Sequence, residues 1–317
     1  MPSRLLALVV FAGLCTSAAA QHGPPVPRTP DEEGGAPAAS RPRPEASLFL
    51  GLQHDFASEF DDAAGDVAIT RVGAGLDVSI PLDDRQRFVV AFFNEFSNYE
   101  FDDATAIAGT TGEPWDDVLE HYLGVTYRSR VSDHWGVFAG ASVDASYQTS
   151  ADFGDSTTFG GQVGGTYSPN DKVTLGLGIL VSTRLEDDVF VIPFPVVNWT
   201  ISDRWSFHTG RSHGRGLRAE VAFTPIEPLT LALGAGVEAR EFRLEDTGPI
   251  PDGVVRDWRV PVSLVAKWSF SKQVSVQAEV GADVFTNYTV DDSAGNELDD
   301  VDGNAAVFAG IGATFNF

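Results

Sequence analysis

Ala305-Ala306-Val307-Phe308-Ala309-Gly310-Ile311-Gly312-Ala313-Thr314-Phe315-Asn316-Phe317 ends the chain. Every second residue, from Ala305 through Val307, Ala309, Ile311, Ala313 and Phe315 to Phe317, is apolar. Those between, Ala306, Phe308, Gly310, Gly312, Thr314 and Asn316, are mostly small or polar. Successive side chains of a strand point to opposite faces, so this period describes a strand with two different neighbours.

The same pattern runs upstream. Trp258, Val260, Val262, Leu264, Ala266, Trp268 and Phe270 oppose Asp257, Arg259, Pro261, Ser263, Val265, Lys267 and Ser269. Val274, Val276, Ala278, Val280, Ala282 and Val284 oppose Ser275, Gln277, Glu279, Gly281, Asp283 and Phe285. Charges fall almost wholly on one set. A lysine or arginine facing lipid at mid-bilayer costs roughly 2–4 kcal/mol, so a membrane-spanning arrangement turns that set inward. The expected lumen-facing charges are Arg71, Asp77, Glu95, Glu120, Arg128, Asp144, Arg218, Glu220, Glu238, Arg240, Arg259, Lys267, Glu279 and Asp283. Inward glycines (Gly73, Gly75, Gly176, Gly178, Gly234, Gly236, Gly310 and Gly312) are expected to leave volume unfilled.

Fourteen such runs follow Ser47: 47–56, 67–80, 86–101, 116–129, 135–149, 157–168, 173–184, 189–200, 204–210, 216–224, 229–243, 255–270, 274–289 and 304–317. Short turns such as 81–84, 130–134, 168–171, 201–203 and 271–273 alternate with longer or acidic loops, including 102–115, 150–156, 244–254 and 290–303. Short turns on one side and longer loops on the other are the habit of a transmembrane barrel. Aromatic residues bracket several turns: Tyr127 and Trp135, Trp199 and Trp205, Trp268 and Phe270. Such rings suit the boundary between acyl chain and water. The weak stretch is 189–216, where Pro193 and Pro195 remove ladder donors. A bulge or irregular strand is expected there, and a misreading of it would lower the count to twelve. The expected fold is therefore all-β, a transmembrane antiparallel up-and-down barrel of about fourteen strands over 47–317.

Arg4, the apolar run Leu5–Leu14 and the small residues Ala18 and Ala20 describe a secretory signal peptide over 1–20. Leu14 stands where a lipoprotein signal carries a small residue, which argues against lipidation of Cys15. With Cys15 in the leader, disulfides and thiolate chemistry are excluded downstream. Residues 21–46 hold seven of the eighteen prolines and few apolar residues, the composition of a disordered arm on the periplasmic side. The net charge of −24 excludes a nucleic-acid partner, which needs a basic face.

Acidic pairs such as Asp61-Asp62, Asp102-Asp103, Asp291-Asp292 and Asp299-Asp300 decorate the loops. Around Asp300-Val301-Asp302-Gly303 a calcium loop would need ligands at Leu298 and Ala309, so no metal site is assigned. His208, Ser212 and His213 cluster with Arg211 and Arg215, without the nucleophile–base geometry that catalysis requires. No catalytic residue and no cofactor is assigned. His54 and His121 fall on outward sets.

Four segments carry a resemblance: Asn198-Trp199-Thr200-Ile201-Ser202-Asp203-Arg204-Trp205, Gly214-Arg215-Gly216-Leu217-Arg218-Ala219-Glu220, Glu241-Phe242-Arg243-Leu244-Glu245-Asp246 and Val301-Asp302-Gly303-Asn304-Ala305. They resemble an uncharacterised family of bacterial outer-membrane β-barrel proteins. The closing strand likewise looks like the one that the barrel-assembly machinery reads, with Phe315 and Phe317 as the signal. The resemblance implies a fold, a bacterial outer-membrane location with its lipid, and the assembly partner; it transfers no site. The leading expectation is a passive pore or small-solute transporter with a mixed-charge lumen. The alternatives are a closed structural barrel that presents acidic loops to partners, and a rim hydrolase that depends on His208.

Overall fold

The computed structural model describes residues 43–317 apart from 62, 105–106, 111–112 and 211–215. The leader, most of the arm, Arg211, Ser212, His213 and Arg215 lie outside the described residues. One sheet of fifteen segments closes on itself. Its wall consists of β1 (Glu45–Glu59), β2 (Asp66–Pro81), β3 (Gln86–Asp102), β4 (Asp117–Arg130), β5 (Trp135–Gln148), β6 (Thr157–Asn170) and β7 (Val173–Ser182). It continues through β8 (Phe190–Thr200), β9 (Trp205–Gly210), β10 (Gly216–Ile226), β11 (Leu229–Arg243), β12 (Val254–Ser269) and β13 (Val274–Asp291). The short β14 (Glu297–Gly303) and the terminal β15 (Ala306–Asn316) lie end to end along β13, so the barrel has fourteen staves. β15 pairs antiparallel with β1 from Ser47↔Asn316 to Asp55↔Phe308, which leaves no free edge at the join.

The alternation read from the sequence is the in–out pattern of the wall. Leu50, Leu52, Val72, Leu76, Leu123, Val137, Leu177, Leu233, Leu264, Val280 and Ile311 are exposed on the outside. Arg71, Glu95, Glu120, Arg259 and Asp283, one residue out of phase, are buried inside. An apolar outer belt around a polar interior is the arrangement that hydrocarbon demands and water does not. At the turn end two rings of the expected girdle pack on aromatic neighbours outside that set: Trp135 on Tyr167 at 4.9 Å and Trp205 on Phe223 at 4.6 Å. The turns share one device. Ser132, Ser202 and Ser271 each accept through Oγ from the backbone N–H two and three residues on, and Asp83 does the same through its carboxylate. Such side chains replace a ladder partner where the chain reverses.

Three features depart from the expected pattern. Segment 290–303 is a strand over most of its length and not a loop. Asp299 to Asp302 pair with the extension of β13, and Asn287 donates to both Asp300 (2.6 Å) and Asp302 (2.9 Å). Acidic residues are poor strand formers on their own, and tertiary pairing overrides that preference here. Second, Arg259 pairs with Thr286 but Pro261 with Asp283. The extra residue on β13 turns both Val284 and Phe285 outward, at 55% and 46% exposure, so Phe285 leaves the inward set. Third, the inward glycines do not leave empty space. Neighbouring side chains lie over them: Phe93 over Gly73 and Gly75, Phe194 over Gly178, Arg218 over Gly234, and Phe49 over Gly312.

The 189–216 stretch is irregular, as its prolines imply. Among the described residues β8 and β9 share three pairs, Asn198↔His208, Trp199↔Phe207 and Thr200↔Ser206. Above them β11 leans across to β5, where Arg243 bridges Tyr147 in parallel and Ser150 donates to Glu245 at 2.6 Å. The β7–β8 connection closes over the outer face of β11: Arg184 (3.2 Å) and the Leu185 amide (3.0 Å) both donate to Glu241.

Candidate functional site

The interior divides into three layers along the barrel axis. Near the turn end small polar residues and glycines line the wall, with Lys267 on β12 and His208 on β9 facing inward. His208 is 43% exposed and its Nε2 lies 3.4 Å from Glu220. Above it Arg218 donates to Glu279 at 2.7 Å and to Ser263 at 2.7 Å, and sits 3.4 Å from Glu220. These three charged side chains keep 14–19% exposure, so water reaches this level.

The middle layer is buried and crosses the lumen. Within it Arg259 has Nη1 2.8 Å from Asp55 and 3.0 Å from Asp283, Nε 2.7 Å from Asp257, and Nη2 2.6 Å from the Tyr288 hydroxyl. Arg71 pairs with Asp55 and lies 3.6 Å from Asp257. Arg240 on β11 reaches Glu95 on β3 at 3.1 Å and holds Glu238 at 2.9 Å. Tyr99 donates to Asp257 at 3.0 Å. A guanidinium carries five donors in a fixed fork, so one arginine can bind several carboxylates from opposite walls. Counting Glu120, which acts on Arg240, six carboxylates surround three guanidinium groups. The gap among Asp55, Phe60, Ile69, Arg259 and Tyr288 has room for about one water molecule.

Over this charged layer sits an apolar plug. Phe60, Ile69, Tyr99, Phe242, Val255, Tyr288 and Val290 come from the wall. Ala104, Ile107 and Trp115 come from the 103–116 connection, and Leu244 and Ile250 from 244–253. Trp115 is 1% exposed, with its ring about 6 Å from those of Tyr99, Phe242 and Tyr288. The 3₁₀ turn Ile107–Gly109 is tied down where the Ala108 amide donates to Asp299 at 2.8 Å. A connection with the composition of a surface loop is thus folded into the barrel mouth.

Of the fourteen expected charges, the structure brings Arg71, Glu95, Glu120, Glu238, Arg240, Arg259 and Asp283 into the middle layer. Arg218, Glu220, Glu279 and Lys267 lie in the layer below. Asp77, Arg128 and Asp144 hold inward ladder positions on β2, β4 and β5, opposite Ala91, Arg87 and Tyr122. Phe315 faces outward opposite Leu48 and Val274, and Phe317 exchanges backbone bonds with Ala46, its ring 77% exposed. Asp55, Asp257, Tyr99 and Tyr288 were absent from the expected set. The first three share the inward phase of Gln53, Arg259 and Glu95, so alternation could have found them. Tyr288 could not be found that way, because the β13 bulge reverses the phase before it. His54 and His121 face outward near the loop end, bonded to Thr70 (2.9 Å) and to Asn94 and Tyr147. His208, which the hydrolase alternative depends on, lies beside Glu220 inside the barrel.

The chain belongs to a family described as a domain of unknown function, DUF6268, whose model matches residues 46–314. No curated protein matches it. Among solved structures it is similar to an outer-membrane channel from Pseudomonas putida F1, at 11% identity over 90% of this chain and 100% of that one, with a TM-score of 0.47. It is similar to the Pseudomonas putida toluene transporter TodX at 10% identity, over 86% and 89% of the two chains, with a TM-score of 0.43. The KdgM porin in complex with disordered oligogalacturonate is a weaker likeness, at 8% identity over 85% and 99%, with a TM-score of 0.34. Likenesses at this level say nothing about what passes through this barrel.

Proposed function

We propose that this DUF6268 barrel is a passive channel for small hydrophilic solutes in the bacterial outer membrane, held shut at its loop end. The observation that carries this reading is the origin of the plug. Ile107, Trp115, Leu244 and Ile250 belong to connections, whereas the wall beneath them encloses a water-accessible vestibule lined by Arg218, Glu220, Glu279 and His208. A fourteen-stave wall encloses more space than the eight-strand barrels that side chains fill. What closes this one comes from connections as well as from the wall. The six carboxylates around three guanidinium groups make the constriction net negative, so cations are favoured over anions once it opens.

Planar-bilayer recording tests the reading. The native protein is expected to be nearly silent. A variant with 104–115 replaced by a short Gly-Ser turn is expected to conduct, with cation preference. If that variant folds and inserts yet carries no current, the channel reading fails. The second reading then stands, a closed structural barrel that presents acidic loops to partners. The cross-lumen bond from Arg240 on β11 to Glu95 on β3 favours it, since these strands stand six staves apart in the wall.

A further inference from the structure

Below the charged layer, the inner wall from β3 to β6 is built from rings and small residues. Phe93 on β3 and Tyr122 on β4 face the lumen as a directly opposed cross-strand pair. Each lies on the lumen side of a neighbouring glycine. A Cβ added at Gly73 would come within 3.2 Å of the Phe93 ring, and one added at Gly124 would meet the Tyr122 ring. A ring laid against the wall in this way turns its other face to the lumen, and both side chains are only half-buried. Nearer the turn end, Phe138 on β5 lies in the same manner over Gly164. From Asp144, the cross-strand partner of Tyr122, β5 runs about 20 Å down to Phe138 at the usual strand rise.

The floor between these rings is small and polar. Thr126 on β4, Gly140 on β5 and Gln162 on β6 share one row of the ladder, with Gly124, Ser142 and Gly160 in the row above. Because Gly140 has no side chain, the Gln162 amide crosses it and donates from Nε2 to the Thr126 hydroxyl at 2.9 Å. A Cβ at Gly140 would stand 3.1 Å from that nitrogen and 2.7 Å from that hydroxyl oxygen. The amide is thereby fixed, while its Oε1 is buried with no hydrogen-bond partner among the described residues. A buried acceptor in that state calls for a donor that the wall does not supply. The hollow beside it, lined by Tyr122, Gly140, Ser142, Gln162 and Leu180, has room for about one hydroxyl-sized group. The inward charges of this part of the wall, Asp77 and Asp144 against Arg87 and Arg128, cancel.

We infer that this part of the wall is a binding site for a neutral oligosaccharide, with Tyr122 and Phe93 as the stacking platform and Gln162 as the polar anchor. A pyranose ring presents a face of C–H groups rimmed by hydroxyls. Its weakly positive hydrogens meet the negative face of an aromatic ring, and its hydroxyls donate to amide and hydroxyl oxygens beside that face. An apolar solute would leave the Gln162 oxygen unmet. An anion would enter an acidic protein at a place with no local surplus of arginine. Stacking of this kind is weak, and a site on a passage must let its solute leave. The inference names the solute of the channel proposed above and rests on that reading for passage. Binding does not depend on it, because the site lies on the turn side of the plug.

Titration calorimetry and saturation-transfer NMR on the full chain folded in detergent micelles test it. Maltotriose and cellotriose are the probes, with tetraethylene glycol as a flexible neutral control. Irradiating the aromatic protons is expected to carry saturation to the ring C–H protons of at least one trisaccharide and not to the glycol. Tyr122→Ala and Gln162→Leu are each expected to weaken binding several-fold, whereas Tyr122→Phe, which keeps the ring face, retains most of it. Gly124→Ala removes no side-chain contact but pushes the Tyr122 ring off the wall, so it is expected to weaken binding as well. It keeps the test open if Tyr122→Ala fails to fold, and a compact band on unheated gels shows which variants are folded. Three results overturn the site: no binding of either trisaccharide, equal binding of the glycol, or binding unchanged by both Gln162→Leu and Gly124→Ala. Current through the plug-replaced variant without trisaccharide binding would remove this inference and leave the channel. Binding without current would do the reverse.

Discussion

Arg259 takes four partners from three strands, and all of them are buried. Removing one member of a buried ion cluster strands the others, at a cost of about 3–5 kcal/mol. Arg259→Met is accordingly expected to lower unfolding stability by about that amount, read from urea titration in lipid vesicles. Arg259→Lys should recover only part of the loss, since an ammonium cannot reproduce the fork that reaches Asp257, Asp283 and Tyr288 together. At this scale alternation alone assigned Arg259 to the interior. That Asp55 and Tyr288 are its partners was not legible, because 204 and 29 residues separate them from it and only closure of the wall makes them neighbours.

β13 shows what an element adds to its residues. Its lower half keeps the phase of the sequence pattern, with Gln277 and Glu279 inward and Val280 outward at 55% exposure. Its upper half is shifted by the bulge at Val284 and Phe285, so Thr286, Tyr288 and Val290 turn inward. Val280→Arg puts a cation on the lipid face and is expected to destabilise by about 2–4 kcal/mol. Gln277→Arg, three residues away on the lumen face, should fold with little loss. Unfolding curves of the two variants in the same vesicles check the contrast, and equal losses would contradict the assignment of faces. Strand ends were legible to within a few residues because turn residues mark them, Ser132, Ser202 and Ser271 among them. The bulge was not, since Val284-Phe285 reads as ordinary alternation until the register with β12 is known.

For the whole molecule, closure depends on β15, which pairs with β1 on one side and β13 on the other. Deleting 306–317 leaves two unpaired edges in a medium that offers no replacement donors. The truncated chain is expected to lose the compact band that a folded barrel shows on unheated gels and to aggregate; a retained compact band would mean that β1 and β13 can close without it. Period and punctuation are local properties: a two-residue repeat sorts side chains between lipid and lumen, and turn residues count the staves. By itself the sequence therefore determined the barrel, its fourteen staves, the inward phase of the fourteen charges named from it and the weak place at 189–216. Only the tertiary structure decided that the 103–116 connection enters the mouth, that side chains such as Phe93, Phe194 and Arg218 lie over inward glycines, and how the ladder between β8 and β9 runs. Those outcomes rest on contacts between residues far apart in the chain, which come within reach only after the wall has curved and closed.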